Sequence, residues 1–206
     1  MAEQQAPVVF LFFNRHEVAL RVFQRIRAAR PAKLVLVSDG PRADVPGEQE
    51  RVEKLRRSIE NLIDWPVAVD CDYAPANMGC GPRLATGIGN ALAKHGRAIM
   101  IEDDCLPSPT FFPYAQELLE RYKDEPRVCS ISGVNFQGRR RSPCSYGFTH
   151  FPQVWGWAAW ARSWEGYDRE LTGWDDGFLH DLARSGTVPC FDLPAWLKAF
   201  EDIKKN

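Results

Sequence analysis

The stretch RAIMIEDDCLPSPTFF, Arg97 to Phe112, decides the fold. An apolar run, Ala98–Ile101, ends on three adjacent carboxylates, Glu102, Asp103 and Asp104. Like charges repel, and taking any of them out of water is costly. The run therefore reads as a short buried strand whose end lies in water or meets something positive. Pro107-Ser108-Pro109 follows, and Ser108 is expected to cap the next helix with Pro109 at its first position. That helix is expected to reach about Asp124, with Phe112, Ala115, Leu118, Leu119 and Tyr122 as its apolar stripe.

The same alternation extends in both directions. VVFLFFN (Val8–Asn14) and KLVLVSD (Lys33–Asp39) are short, β-branched, unalternating runs typical of strands buried on both faces. Between them, His16 to Ala29 places Val18, Val22, Phe23 and Ile26 on one helical face. Glu48 to Ile63 repeats the pattern with Val52, Leu55, Ile59 and Leu62. VAVDCDY (Val67–Tyr73) alternates, as a strand near a sheet edge does. A Gly-rich loop, NMGCGP (Asn77–Pro82), leads into a helix expected from Pro82 or Arg83 to His95, with Leu84, Ile88, Ala91 and Leu92 inward. VCSIS (Val128–Ser132) is a fifth strand. Strand and helix in alternation imply an α/β fold, a mostly parallel sheet flanked by helices on both faces. Helices are also expected at Asp176–Arg184 and Leu193–Lys204.

The totals set bounds. The chain has 206 residues, 26 Lys plus Arg against 27 Asp plus Glu, and an ordinary globular composition. The near-zero net charge gives no electrostatic case for nucleic acid or an anionic membrane as partner. MAEQQAP has no basic, then apolar, leader pattern, so no signal peptide is expected. No window is long and apolar enough for a transmembrane segment. The six cysteines, Cys71, Cys80, Cys105, Cys129, Cys144 and Cys190, include no CxxC pair and are expected to be free thiols in a reducing, cytoplasmic setting.

In open α/β sheets, ligands bind beyond the carboxyl ends of the strands. Asn14-Arg15, Asp39-Gly40 and Glu102-Asp103-Asp104 all follow strands and should gather at one edge. Three carboxylates there suit a divalent cation with a diphosphate, since Mg²⁺ and Mn²⁺ take oxygen ligands and share them with phosphate. The plainer reading is an acidic turn. Asp39 suits a base or ribose, or is a turn residue before Gly40-Pro41; Arg15 suits a phosphate, or is solvated. The amides of Asn77–Gly81 could meet a phosphate, though the loop is neither a Walker sequence nor GxGxxG. Trp155, Trp157, Trp160 and Trp164 form either a sugar-binding surface or a second small aromatic core. Arg139-Arg140-Arg141 is the one basic run, a solvated loop or a phosphate-contacting flap. The four histidines show no metal-ligand spacing.

VVFLFFNR, KLVLVSDG, NMGCGPR, the block from IEDDC to SGVNF, and FPQVWGWAAWARSW together resemble the GT-A nucleotide-sugar glycosyltransferases. More narrowly, they resemble bacterial glycosyltransferase-like proteins related to the N-acetylglucosaminyltransferase that initiates complex N-glycans. The resemblance covers most of residues 8–164. It implies that Glu102-Asp103-Asp104 is a form of the DxD motif. Asp104 would ligate Mn²⁺ (or Mg²⁺), with Glu102 and Asp103 near the ribose. Asp39 would meet the base, Arg15 and Arg83 would lie beside the nucleotide, and Gly156-Trp157 would border the acceptor cleft. The donor would be a nucleotide sugar with uracil as its base, and the acceptor a glycan or lipid-linked glycan. The reaction would be an inverting sugar transfer in the cytoplasm or at the inner membrane face. Asp175 and Asp176 are the general-base candidates. Residues 1–135 would form the nucleotide-sugar-binding core and 136–206 a partial acceptor-side region of the same domain. Relatives continue past this point, so the chain is expected to be C-terminally truncated. The rival expectations are a sugar nucleotidyltransferase, which lacks support in FFNRHE after the first strand, and a non-catalytic nucleotide-sugar-binding remnant.

Overall fold

The computed structural model describes residues 5–136, 144–150, 152–172, 175–186, 194, 197, 198, 201 and 202. These fall into two compact units, Met1–Gly138 with Gln153–Glu165, and Arg139–Pro152 with Gly166–Asn206. The first unit carries a six-stranded sheet: β1 (Val8–Phe12), β2 (Lys33–Ser38), β3 (Ala68–Tyr73), β4 (Arg97–Glu102), β5 (Ser130–Ser132) and β6 (Trp157–Trp160). Its helices are α1 (His16–Ala29), α2 (Glu48–Asn61), α3 (Cys80–His95) and α4 (Phe111–Arg121). The second unit contains α5 (Asp176–Arg184), at the expected bounds. Of the helix expected over 193–204, residues 194, 197, 198, 201 and 202 are helical. The others, with Arg139–Arg141, lie outside the described residues. No helix among the described residues is long and apolar enough to cross a membrane.

The strand order is β3-β2-β1-β4-β6-β5. β1 pairs in parallel with β2 and β4, and β2 with β3, while β6 runs antiparallel between β4 and β5. The mostly parallel sheet is therefore as expected, and β3 lies at one of its edges, with β5 at the other. β6 is an addition that the sequence reading did not make, because WAAW lacks β-branched residues and follows a glycine. It belongs to the first unit, although its residues lie beyond the expected boundary at 135.

Side chains on β1 alternate between the two faces. Val9 and Leu11 join Val35, Val37, Met100, Ile88 and Leu92 in the core under α3. On the other face Phe10 stacks near Phe23 of α1, and Phe23 near Trp65. The α1 stripe is Ala19, Val22, Phe23 and Ile26; Val18 is 40% exposed, one position off the expected face. α4 begins at Phe111, two residues later than expected, with Thr110 rather than Ser108 at its start. The Ser108 hydroxyl is paired with that of Thr110, and the Ser108 carbonyl accepts from the Phe111 amide. At its other end, the Arg162 guanidinium donates to the carbonyls of Tyr122, Lys123, Glu125 and Val128 while stacking on Trp160.

α3 lies on β2 so closely that a Cβ at Gly87 would sit 2.4 Å from Cγ1 of Val37. Valine is stiff at χ1 and cannot swing away. Gly87→Ala is expected to lower stability by about 1–3 kcal/mol, outweighing alanine's higher helix propensity of about 1 kcal/mol. The check is a urea unfolding midpoint that falls with an unchanged slope.

Candidate functional site

The order β3-β2-β1-β4 means that successive connections run one way from β1 and then return on its other side. The crevice between β1 and β4 is the switch point, where α/β sheets place their ligands. Asn14 and Arg15 leave the end of β1 there, and Glu102-Asp103-Asp104 leave the end of β4. Arg15 bonds through Nη2 to Asp103 and through Nη1 to Asp104 Oδ2 at 2.9 Å. Asp103 is 3% exposed and also accepts from the Phe13 amide. Asp104 is exposed, with its Oδ1 in contact with Cys105 Sγ. The positive partner demanded by the acidic run is thus supplied by the chain itself.

Glu102 is different. It is half-buried, and among the described residues no donor reaches its carboxylate. Burial pushes its carboxyl above the usual range, and Asp104 and Asp103 push the same way against the pull of Arg15. Burial also raises Asp103, with Arg15 and the Phe13 amide opposing. Nearby, burial and then Glu102 raise the thiols of Cys80 and Cys105, the latter up to about 12.

The donor set suits a hard divalent cation that takes one or two carboxylates, here Asp104 and Glu102, and fills its shell from phosphate and water. It is not a closed cage: among the described residues, no group of three or more His, Cys, Asp and Glu side chains is arranged to hold a metal.

Asp39 reaches the same edge, but its carboxylate faces the chain. It accepts from the amides of Gly40 (2.8 Å), Met78 (2.9 Å) and Gly79 (3.0 Å) and from Asn77 Nδ2 (3.0 Å). A carboxylate has about four acceptor sites, so Asp39 is fully used in pinning the Gly-rich loop. The amides of Met78 and Gly79, expected to meet a phosphate, are spent on it. Arg83 is likewise committed: it is 4% exposed, and donates to the Ser38 carbonyl at 3.2 Å and to both the carbonyl and the carboxylate of Asp72. These two residues build the edge rather than present free groups to a nucleotide. α3 starts at Cys80, earlier than expected.

Two further charged residues escaped the sequence reading. Glu48, fully buried, accepts from Asn14 Nδ2 at 2.8 Å and from the amide and guanidinium of Arg42. The Arg42 bonds hold its carboxyl down to about 2. Arg56 donates to Ser38 Oγ and to the carbonyls of Asp39 and Ala74, and stacks 4.6 Å over Tyr73. The signal for Glu48 was present: it lies four residues before Val52, on the apolar stripe of its own helix. Next to these residues, Pro41, Arg42, Pro46, Pro75 and Ala76 help line an open pocket of about 390 Å³.

The tryptophans divide. Trp157 and Trp164 pack against the α3-side core, their rings 6.2 Å apart, and Trp160 is buried with Nε1 donating to the Leu119 carbonyl. Trp157 is therefore partly buried against the core. Gly156 has φ +77°, a conformation that side chains rarely adopt, and its carbonyl accepts from Gly133. Trp155, just before it, is 53% exposed. In the second unit, Asp175 caps α5, Oδ1 accepting from the Phe178 amide at 2.9 Å. Asp176 is the first residue of that helix.

Compared with models of known protein families, the chain matches none, and a search of curated proteins finds no match either.

A carboxyl whose folded value lies above its unfolded one binds more protons when folded, so stability falls as pH rises through that window. Glu102 is of this kind, and Glu102→Gln is expected to raise the melting temperature at pH 7 and to lose that advantage in acid. Glu48 is the reverse: its contribution is present above the ordinary carboxylate range and is lost as pH falls toward about 2. Glu48→Gln is expected to lower the melting temperature at pH 7, by an amount that shrinks in acid. Thermal melts of the two variants from about pH 3 to pH 8 check both signs.

Proposed function

We propose that this chain is a metal-dependent glycosyltransferase of the GT-A type. It moves a sugar from a nucleoside-diphosphate sugar, UDP-linked on the sequence resemblance, to an acceptor hydroxyl with inversion. The observation that carries the reading is the cluster at the switch point, where Asp104 is exposed and no donor among the described residues reaches the Glu102 carboxylate. Ionising Glu102 there costs stability, which a folded chain recovers when a cation and its ligand arrive.

On this reading Asp104 and Glu102 offer oxygens to Mg²⁺ or Mn²⁺, which when bound neutralises charge on the departing diphosphate. Arg15 holds Asp103 and Asp104 in place and remains half-exposed beside the phosphates. Asp39 acts through the loop it pins, and the base enters the pocket beside Arg42 and Ala76. Asp175 and Asp176 are the base candidates that the sequence offers, and Asp175 gives one of its oxygens to its helix cap.

Titration calorimetry with UDP, with and without Mn²⁺, tests the reading. Binding is expected to strengthen with the metal, and Asp104→Ala is expected to remove at least about tenfold of that gain, near 1.4 kcal/mol. Metal-independent binding, or none to any common nucleoside diphosphate, overturns it.

A further inference from the structure

Arg15 is shared unequally between two carboxylates at the switch point. Its Nη2 bonds Asp103, and its Nη1 bonds Asp104 Oδ2 at 2.9 Å. The Asp103 side chain is 4% exposed, and its other donor is the Phe13 amide at 3.4 Å. Without Arg15 it would be a buried charge with little compensation, which is costly. The Asp104 side chain is 46% exposed. Water can replace Arg15 there, and an ion pair so open to solvent contributes little. One bond of the fork is therefore an anchor, and the other is exchangeable.

The exchangeable bond occupies an oxygen that a metal would need. Asp104 gives Oδ2 to Arg15, and its Oδ1 lies 3.6 Å from Cys105 Sγ. A divalent cation approaching Asp104 meets a guanidinium already in place, and the two positive charges repel. The Arg15 side chain is itself 51% exposed. A guanidinium carries five N–H donors in a planar fork, and the bonds to Asp103 and Asp104 use two of them. A phosphate suits the same fork.

We propose that Arg15 is a resident counter-ion that latches Asp104 when no ligand is bound, and that a diphosphate and a divalent cation release the latch together. The ligands are those of the glycosyltransferase reading, on which the proposal rests. Arg15 pivots on Asp103 and turns Nη1 from Asp104 to a phosphate oxygen, which frees Asp104 for the cation. Each ligand removes the other's obstacle, so their binding is coupled, equally in both directions by linkage. A plain phosphate contact at Arg15 would leave the affinity for metal alone untouched. A mere support for the acidic run would weaken metal and diphosphate alike when lost. A latch gives opposite signs. Arg15→Lys separates the three, since lysine keeps the charge and can keep a bond to Asp103 but lacks the fork.

The test titrates Mn²⁺ into the nucleotide-free 206-residue protein and reads free Mn²⁺ by electron paramagnetic resonance. Arg15→Lys is expected to bind Mn²⁺ about fivefold more tightly than the parent, and Asp104→Ala to lose the site. Calorimetry with UDP at saturating Mn²⁺ is expected to show the reverse, a loss of about fivefold in Arg15→Lys. Arg15→Lys is expected to melt close to the parent. Should it fail to fold, nitrogen NMR on the unmodified protein decides: Mg²⁺ is expected to move the Arg15 Nη1 resonance and leave Nη2 in place. Equal or weaker Mn²⁺ binding in Arg15→Lys overturns the latch, and so does Mg²⁺ that moves neither resonance. Mn²⁺ bound by neither protein overturns it as well. Tighter Mn²⁺ with unchanged UDP affinity overturns the pivot to phosphate. Failure of UDP to bind strikes the glycosyltransferase reading instead, and the comparison with metal alone still decides the latch.

Discussion

Asn14 and Arg15 leave β1 in opposite directions, and the carboxyl edge of the sheet is organised by that divergence. Asn14 turns toward α2 and donates to the buried Glu48, whereas Arg15 turns toward β4 and bonds Asp103 and Asp104. Two neighbouring polar side chains therefore tie the central strand to both halves of the fold at the point where its connections reverse. A parallel sheet leaves backbone groups and helix starts at this edge that water or side chains must satisfy. Asp39, Arg56 and Arg83 do so around β2 and β3, each through bonds to main-chain groups.

The two buried or half-buried glutamates show how one residue type takes on different tasks. Glu48 is surrounded by donors and strongly favours its ionised form. Glu102 is half-buried, with two acidic neighbours and no donor among the described residues, so burial first and then its neighbours penalise ionisation. The first is a satisfied structural charge. The second keeps unspent acceptor capacity in a crevice, as a binding site does and a mature core does not.

Much of the fold was legible because hydrophobic spacing is local. β1 to β5 and α1 to α5 follow from runs and stripes that a dozen residues contain. β6 was not legible, since its reason for being a strand is the open edge of β4, far away in sequence. The site divides in the same way. Which residues end strands could be read directly, and so could their meeting at one edge. What each carboxylate does could not, because it depends on partners distant in sequence: Asp39 is taken up by the Gly-rich loop and Asp104 by Arg15. Trp157 and Trp155 show the finer case: a two-residue step keeps the strand face in a regular strand, but the left-handed turn at Gly156 breaks that rule and leaves one ring packed against the core and the other exposed.

β6 also imposes an order of events on the growing chain. β4 gains its second neighbour only from residues 157–160, and β5 pairs with nothing but that same segment among the described strands. During synthesis, the half of the sheet from β3 to β4 can close early, while the flank of β4 stays bare until the tryptophan segment has left the ribosome. Until then an apolar strand rim is open to pairing with other chains, the state in which nascent proteins most need protection.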